Sequence, residues 1–255
     1  MASSGTRKKP VKTEHSVKGS GISGFIRRVL RRYFIDAMGA MALGLFSSLI
    51  IGLILKQIFS YLPVAGIQPV IDAIVSATSA KSPVIGAAIG VAIAYGLKVK
   101  PLAIYSAAVV GAIGYAVTVD GVAAGPVGAF IAAIVAAEIG NLVSGKTKVD
   151  ILLVPAAAIL AGGTVGVLVG PPIARLMIGL GDLINRLTDL QPFPMGVAVS
   201  AAMGIILTLP ISSAALSIML GLSGLAAGAA TAGCCAHMVG FAVASYRDNK
   251  VAGLV

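Results

Sequence analysis

Residues 185–215 read NRLTDLQPFPMGVAVSAAMGIILTLPISSAA. Polar side chains come first, an apolar run follows from Phe193 to Leu207, and a second polar break spans Thr208 to Ser213 before hydrophobicity resumes. A proline-bearing break in apolar sequence frees backbone groups that lipid cannot satisfy, so it persists only inside protein or beside a water-filled cavity. Such discontinuous segments point to a transporter's binding site. Because the apolar run is shorter than the ~20 residues of a crossing helix, it favours a re-entrant or half-helix element.

The composition of the whole chain supports a membrane protein. Of its 255 residues, 58% are hydrophobic and 11% charged, and the mean hydropathy is +1.00. Apolar runs near the length of a bilayer crossing recur along the chain, so we expect an all-α, polytopic transmembrane helical bundle of about eight membrane segments, one or more of them re-entrant or broken. The 32 glycines favour close helix contacts, since small residues let backbones approach in lipid.

Basic residues are concentrated at the start of the chain. The net charge is +10, and nine of the 19 Lys and Arg residues precede Tyr33. A basic segment before the first apolar run is the positive-inside signal, so we expect a cytoplasmic N-terminus in a multi-pass protein of the cell membrane, with anionic membrane lipid as a partner. Nucleic acid is not expected, because no recognition module accompanies the charge.

The domain organisation follows from the same shift in composition. Residues 1–20 form a predicted disordered basic tail, and residues 21–255 a single transmembrane domain. Residues 21–32 fit an interfacial helix or an extension of the first span equally well. Predicted membrane segments, spanning or re-entrant, cover residues 34–55, 83–97, 101–119, 125–142, 151–169, 193–207, 213–228 and 229–245.

Three further segments complete the predicted topology. Residues 61–79 carry two prolines and an aspartate, so we interpret them as interfacial or re-entrant. Gly170-Pro171-Pro172 is expected to end a span, and residues 173–190 to form an amphipathic helix along the membrane surface.

Two Lys-x-Lys loops, Lys98–Lys100 and Lys146–Lys148, have two spans between them and therefore share one side. The positive-inside rule places that side in the cytoplasm with the N-terminus, which requires residues 61–79 not to cross.

Candidate site residues are polar groups at membrane depth. A carboxylate such as Glu138 in an apolar helix is costly and functional by default, although a structural hydrogen bond or protonation would also explain it. Asn141 shares its face, and His237 admits either a functional role or a bond between helices. Hydroxyls at the break could bind a polyol. The substrate-binding candidates are Glu138, Asn141, Gln191, Thr208, Ser212, Ser213 and His237. No catalytic constellation, metal-ligand spacing or cofactor motif is recognisable.

Four stretches carry a family resemblance: Tyr33–Phe46, Thr188–Gly196, Leu207–Ala215 and Gly233–Phe241. Together they resemble the membrane-embedded IIC-type component of bacterial phosphotransferase-system sugar permeases, within the stand-alone branch that includes the perfringolysin regulator. The resemblance implies a sugar-translocating fold with re-entrant hairpins, a homodimer, and a separate cytoplasmic IIB-type subunit that phosphorylates the sugar. Members of this branch continue past the position of Val255, so we expect a C-terminally truncated form.

These observations lead to one hypothesis and two alternatives. We expect membrane transport of a sugar or small polar metabolite by a IIC-type permease component. Any enzymatic role would be that of the translocating subunit of a sugar phosphotransferase complex. The alternatives are a membrane sensor or regulator that retains the fold without transport, and a transporter of a non-sugar ion or metabolite. We also expect the segment of residues 193–207 to pack against the helix of Glu138.

Overall fold

The computed structural model describes residues 29–61, 68–188, 191–208, 217, 222 and 224–249. This part of the chain is helical apart from one short hairpin. The elements are α1 (Arg31–Tyr61), α2 (Gln68–Ala77), α3 (Pro83–Gly96), α4 (Pro101–Ala116), β1 (Thr118–Val119), β2 (Val122–Ala123), α5 (Gly125–Val143), α6 (Asp150–Thr188), α7 (Pro192–Ile206) and α8 (Gly224–Asn249).

Four helices in the described residues are long and apolar enough to cross a membrane: α1, α5, α6 and the Gly224–Tyr246 part of α8. Three shorter apolar helices, α3, α4 and α7, accompany them. The expected all-α membrane protein is confirmed. The predicted count of about eight membrane segments is not, because part of the sequence between α7 and α8 lies outside the described residues.

Helices α2 and α3 follow each other along α1, and both run antiparallel to it. Gly52 of α1 lies against Thr78 just after α2, and Ala40 lies against Gly96 at the end of α3. Helix α2 has 10 residues and is about 15 Å long, half the thickness of a hydrocarbon core. The prediction that residues 61–79 do not cross by themselves agrees with this path.

Glycines set the spacing of the central helices. A Cβ atom on Gly90 of α3 would overlap the carbonyl oxygen of Ala107 in α4, and one on Gly114 of α4 would lie 2.5 Å from the carbonyl oxygen of Gly128 in α5. The backbones therefore touch directly. In lipid, where apolar burial does not drive helix association, such contacts provide the packing energy.

The return path along α1 is broken between α2 and α3. The break is stabilised from α4, where the Tyr115 hydroxyl donates a 2.6 Å hydrogen bond to the carbonyl oxygen of Ala80. Both residues are buried. Ser82 caps α3 by accepting a 3.3 Å hydrogen bond from the Val84 amide. These side chains satisfy backbone groups that a broken helix would otherwise leave unpaired at membrane depth.

Replacing Tyr115 by phenylalanine is expected to destabilise the protein by about 1–2 kcal/mol, because the Ala80 carbonyl then remains buried without its donor. Reversible unfolding in mixed micelles measures this free energy. Tyr105→Phe on the same helix is the matched control, since the Tyr105 side chain is 69% exposed. Equal stability of the two variants would contradict the role assigned to Tyr115.

Helix α6 is longer than the sequence indicated. It continues through Pro171 and Pro172 for 39 residues, so the predicted end at Gly170-Pro171-Pro172 is wrong. Prolines remove helix hydrogen bonds, but packing holds this helix on both sides of them: Gly170 lies against Val117, and Ile173 packs in an apolar cluster with residues of the hairpin and α5. Of the residues 173–190 predicted to form a separate surface helix, 173–188 form the second half of α6, and 189 and 190 lie outside the described residues.

A hairpin of β1 and β2 joins α4 to α5. Asp120 and Gly121 at its tip have φ values of +51° and +79°. Positive φ at both central residues belongs to the primed turns that connect two antiparallel strands. The hairpin lies at the opposite end of α4 from Lys100.

Helices α7 and α8 form a separate cluster and run parallel. Ser200 lies against Gly233, and one turn later Gly204 lies near His237. Buried residues of α7 and α8 share an apolar cluster with Ile184 at the end of α6. The prediction that residues 193–207 pack against the helix of Glu138 is therefore wrong: in the described residues α7 packs mainly on α8 and also on α6.

Helix α8 also corrects a predicted boundary. The sequence indicated two segments that meet between residues 228 and 229, but one helix runs from Gly224 to Asn249. Its start coincides with a positive φ of +57° at Gly224. Gly228 does not end the helix, because glycine in an apolar membrane helix also serves close packing.

Candidate functional site

Glu138 is held by two residues from the start of α1. Its Oε1 atom accepts a hydrogen bond of 2.9 Å from Nε of Arg32 and one of 3.0 Å from the Tyr33 hydroxyl. The Nη2 atom of Arg32 lies 2.9 Å from the same oxygen. Three donor groups thus converge on one carboxylate oxygen, and the positive charge of Arg32 compensates the negative charge of Glu138.

The local structure of α1 presents these two donors. Residues Arg31–Ala37 form a π-helical stretch, a rare geometry that occurs frequently at functional sites. Adjacent side chains, Arg32 and Tyr33, thereby reach the same oxygen. On the other side, Gly140 packs against Ala103 of α4 and Ala158 of α6, which fixes the α5 turn that carries Glu138.

The cluster remains partly open. The side chains of Arg32 and Glu138 are 41% and 32% exposed, and Oε2 of Glu138 has no hydrogen-bond partner among the described residues. Asn141 lies one turn further along α5 and is half-buried. Within the described part of the chain its side chain makes no hydrogen bond. A carboxylate oxygen and an amide are thus available on one face for a polar ligand.

Basic residues surround the same end of the bundle. Arg31 and Lys98 line one groove with Arg32. Nζ of Lys100 donates a 2.7 Å hydrogen bond to the carbonyl oxygen of Ser144, so the two Lys-x-Lys loops touch. The prediction that these loops share a side is confirmed, and Arg31 at the start of α1 lies at that end as well.

The second loop is organised by Asp150 at the start of α6. Its carboxylate accepts hydrogen bonds from the Gly145 amide, the Thr147 amide and the Thr147 hydroxyl. A carboxylate at this position also complements the positive end of the helix dipole. The loop with Lys146 and Lys148 is therefore ordered beside Lys100.

His237 lies in the other cluster, between α8 and α7. Its ring meets that of Phe241 edge to face, with centroids 4.7 Å apart and an angle of 86° between the planes. The two rings line an open groove of about 660 Å³ together with Ser200 and Gly204. His237 is partly exposed to this groove.

The remaining candidates do not gather around Glu138. Gln191 and Thr208 flank opposite ends of α7 and are exposed, separated by about 25 Å of helix rise. The Thr208 hydroxyl donates to the carbonyl oxygen of Ile205 at 2.6 Å. Ser212 and Ser213 lie outside the described residues. The structure therefore places Glu138 and Asn141 on one face of α5, and places His237 elsewhere, beside Gly204 of α7.

Sequence reasoning missed Arg32 and Tyr33 as partners of Glu138. A signal existed, because an ionisable residue at membrane depth pairs with another or with a polar group. Arg32 was counted instead as one of a run of basic residues. Within the described residues, no group of three or more His, Cys, Asp or Glu side chains could hold a metal ion.

The fold and the site define a multi-pass helical membrane protein with a partly exposed carboxylate–arginine pair between α5 and α1. The family model described as the phosphotransferase system EIIC component matches residues 35–255. The chain belongs to this family, which confirms the resemblance noted in the sequence. Membership indicates a permease component of sugar transport and implies a substrate. Comparisons with curated proteins and with solved structures gave no match.

Proposed function

We propose that the chain is a IIC-type permease component that carries a sugar or another small polar metabolite across the cell membrane. One observation carries the proposal. The Glu138 carboxylate has one oxygen fixed by Arg32 and Tyr33 and the other oxygen without a partner among the described residues. Sugar hydroxyls donate hydrogen bonds that a carboxylate can accept, and the Asn141 amide adds a hydrogen-bond donor and an acceptor beside it.

Charge compensation favours a neutral substrate. Arg32 balances Glu138, so the cluster has no net charge to attract or repel an ion. A free anion would compete with Glu138 for Arg32, and a free cation would compete with Arg32 for Glu138, so either would break this ion pair. A polyol can bond to the second oxygen of Glu138 while the pair stays intact.

The other candidates contribute at a later stage of the path. Gln191, Thr208, Ser212, Ser213 and His237 belong to the segment of α7 and α8 and the sequence between them. We assign them to transient contacts with the same substrate after it leaves Glu138. What supports this is that they are polar residues within or beside apolar stretches of the sequence, where polar side chains mark a pathway. Alternating access would then move the substrate from one group to the other.

The orientation follows from the basic end of the bundle. Arg31, Lys98, Lys100, Lys146 and Lys148 lie at that end, and the positive-inside rule assigns it, with the N-terminus, to the cytoplasm. A separate IIB-type subunit would dock there to phosphorylate the sugar. We further propose that the permease works as a homodimer.

Single-cysteine labelling is expected to confirm this orientation. In a background without Cys234 and Cys235, a membrane-impermeant maleimide applied to intact cells should label Thr118→Cys in the hairpin and not Lys146→Cys. Permeabilised cells should show labelling of both. Labelling of Lys146→Cys alone in intact cells would contradict the proposed orientation.

A sensor or regulator without transport is the second candidate. It is favoured by the three donors that converge on one oxygen of Glu138, because such an arrangement also suits a purely structural lock between α1 and α5. In that case a Glu138 variant would change the stability of the protein, and the unmodified chain itself would show no transport.

Uptake by purified protein in liposomes distinguishes the two. A panel of radiolabelled sugars and polyols is offered with and without a phosphorylating IIB-type partner. Saturable uptake of one sugar above that of empty liposomes supports the permease. A ligand-induced shift in melting temperature without uptake under either condition favours the sensor.

A further inference from the structure

A second groove system runs along α1 and α3, and Arg32, the partner of Glu138, is among the residues that line it. Its apolar part, of about 700 Å³, is lined by Leu43, Phe46, Val84, Ala88 and Val91 among others. Its polar part, of about 660 Å³, is lined by Arg31, Asp36 and Lys98 among others. The two parts share Leu43, Ala92 and Tyr95, so the apolar groove adjoins the polar groove at the basic end.

The polarity of this groove system changes along its length. Phe46 and Val84 are more than half exposed on the apolar side. Tyr95 is 75% exposed at the junction, where tyrosine suits the boundary between hydrocarbon and headgroups. Above it, Arg31 and Lys98 are exposed and form no ion pair among the described residues. The change from apolar to basic lining along the groove matches the change from acyl chain to phosphate headgroup in a phospholipid.

We propose that this groove binds one anionic phospholipid with a hydroxylated headgroup. An acyl chain lies between α1 and α3, and the phosphate contacts Arg31 and Lys98. Asp36 also lines the polar part; its carboxylate would repel a bare phosphate but can accept hydrogen bonds from headgroup hydroxyls. Charge complementarity thus selects an anionic, hydroxyl-bearing lipid over a choline lipid. The proposal goes beyond a general affinity of basic residues for the membrane surface.

Native mass spectrometry of the purified full chain tests this with phosphatidylglycerol and phosphatidylcholine of equal chain length. The double variant Arg31→Gln, Lys98→Asn is expected to bind phosphatidylglycerol about 30-fold more weakly, because each cation contributes about fivefold. Asparagine is used at Lys98 because that residue has a φ of +56°, which asparagine tolerates. Binding of phosphatidylcholine should not change.

The matched control is Lys146→Gln, Lys148→Asn, which removes two cations from the same end outside the groove. It should lower phosphatidylglycerol binding less than about threefold, since separated surface charges are screened. An equal loss in both double variants, or equal binding of the two lipids by the unmodified chain, would overturn the proposal.

Two further arms keep the test decisive. If the double variant fails to fold, as judged by circular dichroism and gel filtration, Lys98→Asn alone should show the fivefold loss, and no loss would overturn the proposal. Ala87→Leu, which narrows the apolar part, should also weaken phosphatidylglycerol binding. Soluble glycerol 3-phosphate at equal concentration should not displace the lipid. Full displacement would assign the site to a free phosphate ester instead.

Discussion

Glu138→Gln is expected to lower substrate affinity by about 5- to 15-fold, because it replaces a charge-assisted hydrogen bond of about 1.5–3 kcal/mol by a neutral one of about 0.5–1.5 kcal/mol. Glutamine keeps the size and can still accept hydrogen bonds from Arg32 and Tyr33, so the shape of the site is preserved. Substrate binding and uptake by the variant in liposomes measure the effect. Asp182→Asn, the same chemical change at an exposed position of α6, is the control and should behave as the unmodified chain.

The same variant separates binding from stability. Without the carboxylate, Arg32 loses its ion pair, although its exposure of 41% lets the guanidinium reach water and limits the cost to about 1 kcal/mol. The double variant Arg32→Gln, Glu138→Gln should regain stability but not uptake. If stability and uptake fall and recover together, the pair is only a structural lock and the role of Glu138 in binding is wrong.

Gly90→Leu is expected to have the largest effect on folding, a loss of about 3 kcal/mol or more, because its side chain would overlap backbone atoms of α4 that cannot move aside. A Cβ atom at this position already overlaps the carbonyl oxygen of Ala107. The free energy of unfolding in mixed micelles, together with the yield of monodisperse protein, measures the loss.

Gly39→Leu is the matched control, since no atom lies within 4 Å of a Cβ atom built at Gly39. It is expected to unfold like the unmodified chain. Unchanged stability of Gly90→Leu would mean that α3 and α4 do not meet in direct backbone contact, and the packing of the central helices would have to be redrawn.

The sequence predicted where helices begin when a proline or glycine marks the first turn. Pro83, Pro101 and Gly125 begin helices in the structure as they do in the prediction, since proline is favoured in the first helical turn. The end of α6 was missed because tertiary packing around Pro171 outweighs the local preference of proline. The hairpin was missed although Asp120-Gly121 is a recognised turn signal.

The site was predictable only in part. Glu138 and Asn141 are visible in the sequence, because a carboxylate in an apolar helix is unusual and the two are three residues apart. Arg32, the partner of Glu138, lies 106 residues away from it along the chain, and no local pattern links the two positions. Helix packing decides which distant polar groups meet, and it depends on glycine contacts such as that between Gly114 and Gly128. The periodicity of the sequence does not show which glycines will touch.

We propose that this EIIC-family chain moves a polar substrate bound at Glu138. The most direct measurement is the initial rate of uptake of a radiolabelled sugar into liposomes that contain either the purified chain or Glu138→Gln, supplied with a phosphorylating IIB-type partner. We predict saturable uptake by the unmodified chain and, at a sugar concentration well below its KM, an initial rate about 5- to 15-fold lower for the variant. Equal uptake by both proteins, or none by either for every sugar tested, would contradict the claim.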